Sequence, residues 1–244
     1  MRVLRFGDQV FGERTNGVWS AYAKVYGQRF RASYYDQIRA VTDRLGIKFC
    51  GHLIFDDDPA LAVGYNGDPL KVLSGESLPG IDEVLSEDRP EKIPFFLYAL
   101  ADYATRTGGK GGMCEHFACG PADMPLDRLR RMLALSAFHG ITRYFTVMSV
   151  MDASWLDKMR SGFSVTVGEF QPWFKAFPAI VREADRLSAL AAKRPVYDVA
   201  VRMPQTLLAR IHDEPARAGR VKNALNEVLK EVELSGFTPM LIAE

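Results

Sequence analysis

Two stretches decide the fold of this chain: GGMCEHFA at residues 111–118 and ITRYFTVMS at residues 141–149. Between them, apolar residues recur at helical spacing: Leu126, Leu129, Leu133 and Phe138. Gly140 follows where a helix commonly ends. A short apolar run on each side of an amphipathic helix predicts two buried strands joined by a crossover helix, the βαβ unit of a parallel sheet.

The same alternation extends in both directions from this unit. Before it, we predict a helix over 19–45, a strand over 47–55, a short strand over 79–82 and a helix over 94–106. After it, we predict a helix over 173–191, a strand over 196–203, a helix over 216–235 and a strand over 237–243. The polar stretch 56–79 is expected to be a long loop with one helical turn. Strands that alternate with helices are typical of the α/β class with a parallel sheet.

Composition and charge narrow the classes of function. The 244 residues carry a formal net charge of +1, so they lack the basic excess typical of nucleic-acid-binding domains. No long apolar run predicts a membrane span, and the first residues lack the apolar core of a signal peptide, so a cytoplasmic protein is expected. The three cysteines, Cys50, Cys114 and Cys119, are odd in number and do not predict a disulfide framework. A zinc site would need more soft ligands at regular spacing, so we predict buried thiols and no metal or cofactor.

Polar side chains interrupt the predicted strands near their ends, where βα folds gather functional groups. They are His52, Asp56, Asp57, Asp58, Asp82, Glu115, His116, Tyr144, Thr146, Ser149 and Asp152. Glu115 lies in an apolar strand, which indicates either a site residue, held by the hydroxyl of Tyr144, or a structural ion pair. His116 is expected to point away from Glu115 and to pack, because successive strand side chains alternate between faces. The three aspartates fit a solvated loop or a cluster that binds a hard cation.

Taken in order, these segments resemble part of a known barrel family. Residues 113–120, the helix at 126–138 and residues 139–145 resemble strands seven and eight of family 42 and family 106-like glycoside hydrolases. Residues 46–56 resemble strand five of the family 106-like enzymes. The segments Gly67-Asp68-Pro69 and Leu78-Pro79-Gly80-Ile81-Asp82 resemble the approach to strand six. Residues 197–204 are similar to the first strand of the flavodoxin-like domain that follows such barrels.

The resemblance implies a domain organisation. It places a partial TIM-type (β/α)8 barrel, comprising strands five to eight, over residues 20–194. Residues 1–19 form an N-terminal segment, and residues 195–244 begin a flavodoxin-like α/β domain that contributes nothing to the chemistry.

The resemblance also implies an activity, the hydrolysis of a glycosidic bond by paired carboxylates without a cofactor. Glu115 is the expected nucleophile or base, and Asp56, Asp57 or Asp82 is the expected acid. The carbohydrate substrate is expected to contact side chains at the same strand ends: His52, Asp57, Tyr144 and Ser149.

Two departures from the family pattern bear on activity. Asp56 stands where relatives often have Glu, and the acid/base Glu that relatives carry at the end of strand four has no counterpart here. We therefore expect the chain alone to be nearly inactive. The alternative is a non-catalytic or degenerate half-barrel that binds sugar or a partner chain, as a homodimer or with a chain that supplies the other strands. An isomerase or aldolase barrel would need a metal cluster or a Schiff-base lysine, but Lys48 and Lys110 lie at strand starts.

Overall fold

Parallel strands and the helices that connect them make up this structure, which is a computed structural model. It describes residues 15–83, 93–108, 111–116, 126–146, 173–191, 197–211 and 214–244. The strands are β1 (Cys50–Gly51), β2 (Leu78–Glu83), β3 (Gly112–His116), β4 (Ile141–Thr146), β5 (Val199–Arg202) and β6 (Pro239–Ile242). The helices are α1 (Thr15–Phe30), α2 (Asp36–Arg44), α3 (Pro59–Asn66), α4 (Pro69–Leu73), α5 (Phe95–Gly108), α6 (Leu126–Phe138), α7 (Phe177–Ala191), α8 (Gln205–Ile211) and α9 (Pro215–Leu234), and a π-helical turn at Arg31–Tyr35 joins α1 to α2. None of the helices in these ranges has both the length and the apolar character that a membrane span requires.

The strands pair in sequence order. β1 to β4 form one sheet in the order β1-β2-β3-β4, and each neighbouring pair is parallel. Parallel neighbours need a crossover connection, and helices lie between successive strands along the chain. β5 and β6 form a separate parallel pair, and among the described residues β5 pairs with no strand of the larger sheet. The predicted α/β fold with a parallel sheet is confirmed.

Helix α5 packs between the larger sheet and the C-terminal elements. On one side, Phe96 and Leu100 share a core with Leu229 of α9 and with β5 and β6. On the other, Leu97 packs against the sheet together with Cys114 of β3. A helix that is apolar all round is buried on several sides, and each such side chain contributes about 1.5–3 kcal/mol to folding. α5 therefore holds the C-terminal elements against the back of the sheet.

The predicted strand at 47–55 is much shorter in the structure. β1 contains only Cys50 and Gly51. Ile54 and Phe55 are exposed, and Phe55 has a φ of 58°, a left-handed conformation that bulky residues seldom adopt. The chain therefore turns out of the sheet directly before His52. Apolar character alone had suggested a longer buried strand, and that prediction is wrong.

The stretch 56–79 contains two helices where the sequence predicted a long loop. Asp58 and Asp68 are the N-cap residues of α3 and α4, and each side chain accepts hydrogen bonds from backbone N–H groups of the first helical turn. Pro59 and Pro69 follow at the first helical position, where proline is favoured because no N–H partner is needed. These two Asp-Pro pairs are helix-start signals, and they explain why residues 56–79 form helices although their polar composition had suggested a loop.

Gly80 is the position in β2 where a side chain cannot be added freely. A Cβ there would meet the carbonyl oxygen of Gly51 and would lie 2.8 Å from Cγ of Met113. We expect Gly80→Ala to lower the free energy of unfolding by about 1–3 kcal/mol, because β1 and β3 would both have to move.

Gly219 of α9 is the matched control for this substitution, since a Cβ there meets nothing within 4 Å. Gly219→Ala should raise the free energy of unfolding by about 0.5–1 kcal/mol, as alanine is the better helix former. Urea unfolding of the two variants measures both values. Equal stability of the two variants would contradict the tight packing of β1 against β2 and β3.

Candidate active site

Three polar side chains from neighbouring strands converge at the C-terminal edge of the larger sheet. Nε2 of His52 lies 3.3 Å from Oε2 of Glu115, and Nδ1 of His52 lies 4.0 Å from Oδ2 of Asp82. The side chains of His52, Asp82 and Glu115 keep 28%, 18% and 29% of their accessible surface, so a small molecule can reach all three. The imidazole thus lies between two carboxyl groups at a half-open edge.

The strand register explains this convergence. Asp82 and Glu115 are direct partners in the pairing of β2 with β3. Side chains of register partners in neighbouring strands point to the same face of a sheet. His52 reaches that face because the chain leaves β1 at Gly51. The sequence prediction of polar groups at strand ends brought these three residues together correctly, although their chemical roles stay predictions.

His52 makes one close contact to the backbone and one to a carboxyl group. Nδ1 lies 3.0 Å from the carbonyl oxygen of Leu53, and because a carbonyl can only accept, Nδ1 is the donor of this hydrogen bond. Nε2 lies 3.3 Å from Oε2 of Glu115. The imidazole therefore links the backbone after β1 to the carboxyl group of Glu115.

Asp82 is the more enclosed of the two carboxyl groups. Burial raises its pKa to about 6; His52 acts in the opposite direction, while the charges of Glu115 and Asp57 add to the increase. Its Oδ1 atom is buried and has no hydrogen-bond partner among the described residues. A carboxyl group in this environment holds its proton more strongly than an exposed aspartate does.

Asp56 lies beneath the site and not on its surface. Its side chain is 2% exposed, and Oδ2 accepts a hydrogen bond of 2.8 Å from the backbone N–H of Asp82. Burial is the main reason that its pKa lies well above the usual range. A carboxyl group so enclosed positions the end of β2 and does not itself face a substrate. Of Asp56 and Asp82, Asp82 has the better access to a substrate.

Asp57 and Asp58 meet a lysine from the C-terminal part of the chain. Nζ of Lys222, on α9, lies 3.7 Å from Oδ2 of Asp57 and 3.3 Å from Oδ2 of Asp58. Asp58 also caps α3, so its role is structural. Asp57 remains half-exposed at the rim of the site. Lys222 therefore brings α9 to the border of the site, and the expectation that residues 195–244 contribute nothing to the chemistry stays a prediction.

Tyr144 does not contact Glu115, contrary to the sequence prediction. Its register partner is Cys114, so it shares the opposite face of the sheet with that residue. The hydroxyl lies 3.4 Å from the carbonyl oxygens of Leu133 and Ile141, and the ring stacks on His116. A substrate-binding role for Tyr144 at this site is therefore excluded by its orientation. Ser149, the other residue expected to bind substrate from β4, lies outside the described residues, as does Asp152.

Glu76 supports the site, and the sequence pattern did not reveal it. It is buried, and Oε2 accepts a hydrogen bond of 3.1 Å from the backbone N–H of Gly51, directly before His52. Burial raises the pKa of Glu76 to about 8, although its backbone hydrogen bonds work in the other direction. Because residues 56–79 were expected to form a solvated loop, a buried acid there was not foreseen.

A second group of potential ligands lies on the opposite face of the same strands. One ligand atom each from Glu83, Cys114 and His116 lie within 4.8 Å of one another, and all three residues are buried. Of the described residues, only these three form a group with metal-ligand chemistry and spacing.

The chain matches no protein-family model, no curated protein and no solved structure. The geometry of the site therefore carries the functional argument.

The raised pKa of Glu76 makes a specific contribution to pH-dependent stability. Between about pH 4.5 and pH 8, the folded state holds this proton while the unfolded state releases it, so the free energy of unfolding falls as pH rises. We expect Glu76→Gln to remove this contribution. Its free energy of unfolding should fall less steeply than that of the wild type, by up to about 1.4 kcal/mol per pH unit.

Urea unfolding at several pH values between 5 and 8 measures this difference. Glu227→Gln is the matched control, because Glu227 pairs with Lys230 on the exposed face of α9. Parallel pH profiles for wild type and Glu76→Gln would show that Glu76 is ionised in the folded protein.

Proposed function

We propose that this chain carries the sugar-binding and catalytic face of a glycoside hydrolase, with Asp82 and Glu115 as its paired carboxylates. The observation that carries this proposal is the position of His52 between the two carboxyl groups at the C-terminal edge of a parallel sheet. Barrel enzymes of this architecture place their chemistry at that edge. The resemblance to family 42 and family 106-like glycoside hydrolases adds to it.

The separation of the two strands fits two-carboxylate hydrolysis. Neighbouring strands lie about 4.8 Å apart, and Asp82 and Glu115 are register partners. Retaining glycosidases hold their carboxyl groups about 5–5.5 Å apart, whereas inverting enzymes need about 6.5–9.5 Å to admit a water. Register partners come close enough for two-carboxylate hydrolysis, and the mechanism proposed here is the retaining one, in which a carboxylate attacks the anomeric carbon.

The environments of the two groups suggest their roles. Glu115 is the proposed nucleophile, since its side chain is the more exposed of the two and the imidazole of His52 orients it. Asp82, more enclosed, is the proposed acid that protonates the leaving oxygen. His52 would orient Glu115 and hydrogen-bond a sugar hydroxyl, and Asp57 at the rim would accept hydrogen bonds from sugar hydroxyls.

The finer fold proposal is that β1 to β4 are strands five to eight of a (β/α)8 barrel and that β5 and β6 begin a flavodoxin-like domain. The all-parallel order and the separate pairing of β5 with β6 support it. In that arrangement, strand four would pair with the open edge of β1, beside His52. A carboxylate supplied from there could take over the acid role from Asp82.

A second candidate function is non-catalytic binding of a sugar or a partner chain. Two open sheet edges favour this binding function: within the described residues, β1 and β4 each pair with a strand on one side only. Open edges of this kind are places where another chain can add strands. The two candidates differ in whether a covalent bond forms at Glu115.

Mechanism-based trapping separates them. We expect activated 2-deoxy-2-fluoro glycosides of the correct sugar to leave a covalent glycosyl adduct on Glu115, detected by mass spectrometry of its peptide. Glu115→Gln should form no adduct and should lower any glycoside turnover roughly a thousandfold, which is about 4 kcal/mol of barrier. The fluorine slows hydrolysis of the intermediate, so even a slow enzyme accumulates it.

Asp127→Asn is the matched control, because Asp127 is a carboxylate of α6 whose side chain is 94% exposed. It should form the adduct as the wild type does. An adduct on a different residue would contradict the assignment of Glu115. Sugar binding without any adduct across a broad panel would favour the non-catalytic function.

A further inference from the structure

The inner face of β2 and β3, which packs against helices, carries a second constellation of polar side chains. Glu83 follows Asp82, and His116 follows Glu115, so the period-two alternation turns these residues away from the candidate active site. Glu83 and His116 are themselves register partners. Cys114 lies on the same face, where it packs against α5. All three side chains are buried.

His116 lacks the hydrogen bonds that a buried imidazole needs. Its ring is 1% exposed, and neither ring nitrogen has a hydrogen-bond partner among the described residues. Nδ1 lies 3.8 Å from Oε2 of Glu83, which is too long for a hydrogen bond. A buried polar group that lacks a hydrogen-bond partner destabilises the folded state. An additional group between His116 and its neighbours would remove that destabilisation.

A comparison with His139, a second buried histidine, shows how the surroundings of His116 differ. His139 is also buried, and its ring nitrogens also have no hydrogen bond in the described part of the chain. Its neighbouring acid is Glu233, with Nε2 3.5 Å from Oε1, close to hydrogen-bond distance. Among the described histidines, His116 is the one with both a thiol and a carboxylate beside it, and this combination is a metal-ligand set.

We propose that Glu83, Cys114 and His116 bind a Zn²⁺ ion. Oxygen, sulfur and nitrogen are the three ligand types that zinc accepts in proteins, and a thiolate disfavours the harder cations Mg²⁺ and Ca²⁺. A carboxylate and a thiolate neutralise the two charges of the ion, so the buried site carries no net charge. The site does not depend on the proposed glycoside hydrolysis.

The spacing of the ligand atoms suits this ion after a small adjustment. With bonds of about 2.0–2.3 Å, neighbouring ligands of a tetrahedral zinc lie roughly 3.3–3.8 Å apart. Nδ1 of His116 and Oε2 of Glu83 already stand 3.8 Å apart, and all three ligand atoms lie within 4.8 Å of one another. Side-chain torsions supply the closure of roughly 1 Å that remains.

Hydroxyl groups around Glu83 complete the site. The hydroxyl of Tyr98 donates to Oε1 at 2.5 Å and that of Ser136 to Oε2 at 3.3 Å. Hydrogen bonds of this kind orient a ligating carboxylate. Zinc sites have four ligands, and the fourth would be a water molecule or the oxygen of Ser136, which is fully buried beside the carboxylate. The thiol of Cys114, which lies 3.7 Å from the carbonyl oxygen of Glu115, would lose its proton to solvent on binding.

Burial shifts the pKa of each of the three ligand groups, and only the shift of the histidine favours the form that binds the ion. It lowers the pKa of His116 to about 3, so the imidazole is neutral and ready to bind. It raises the pKa of Glu83 to about 7 and that of the Cys114 thiol well above its usual range. Arg128 and Arg131 lie near Glu83 and oppose a cation electrostatically. Two anionic ligands are therefore required, and Glu83 and Cys114 provide them.

An ion here would link β2 to β3 directly behind Asp82 and Glu115. It would fix the register that places those two carboxyl groups side by side, without contacting a substrate. The proposed role is therefore structural, and loss of the ion should lower the thermal unfolding temperature.

Cobalt substitution tests the proposal with an optical signal that reports on the thiolate. We expect the untagged 244-residue protein to bind one Co²⁺ and to develop an intense thiolate-to-cobalt charge-transfer absorption. Added Zn²⁺ should displace the Co²⁺ and abolish this absorption. The double variant Cys50→Ser/Cys119→Ser keeps Cys114 as its only thiol and should show the same absorption. Cys114→Ser should lose it, and Zn²⁺ should raise the thermal unfolding temperature of the wild type and the double variant but not that of Cys114→Ser.

Several results would overturn the proposal. They are the absence of the charge-transfer absorption in the wild type, its loss in the Cys50→Ser/Cys119→Ser variant, or its persistence in Cys114→Ser. If Cys114→Ser fails to fold, the double variant decides the matter alone, because any thiolate ligand in it must be Cys114. His139→Gln, which changes a buried histidine outside the cluster, should leave the absorption unchanged.

Discussion

The pairing of β2 with β3 is the constraint on which the functional features of this structure depend. Its register sets Asp82 opposite Glu115 and Glu83 opposite His116. Because strand side chains alternate between faces, a step of one residue along both strands leads from one environment to a different one. One face carries a half-open pair of carboxyl groups, and the other carries a buried cluster of ligand-type side chains. A shift of one residue in either strand would dismantle both.

Burial of acidic groups accompanies this arrangement. Four carboxyl groups near the sheet have pKa values raised chiefly by burial: Asp56, Glu76, Asp82 and Glu83. Asp56 and Glu76 bind backbone N–H groups at the ends of β2 and β1 and so hold Asp82 and His52 in place. Burial of an acidic group destabilises the folded state. Here the buried acids fix the strand ends that carry the site.

The sequence predicted the alternation of strands and helices, the parallel sheet and the polar side chains near strand ends, because these follow from local periodicity and from the geometry of βα units. It did not predict contacts that depend on tertiary packing. Lys222 reaches Asp57 because α9 packs against both α5 and α3, and the buried position of Glu76 follows from the folding of α3 and α4. Tyr144 was assigned to the wrong face because a register shift at the start of β3 pairs it with Cys114 and not with Glu115.

The central claim is that the edge formed by His52, Asp82 and Glu115 binds a sugar. Its most direct test is to follow the imidazole ¹H and ¹⁵N resonances of each histidine during titration with monosaccharides and cationic iminosugars. We expect the resonances of His52 to shift and saturate with one class of sugar while those of the buried His116 and His139 stay unchanged. Unmoved His52 resonances across the whole panel at millimolar concentrations would contradict the claim.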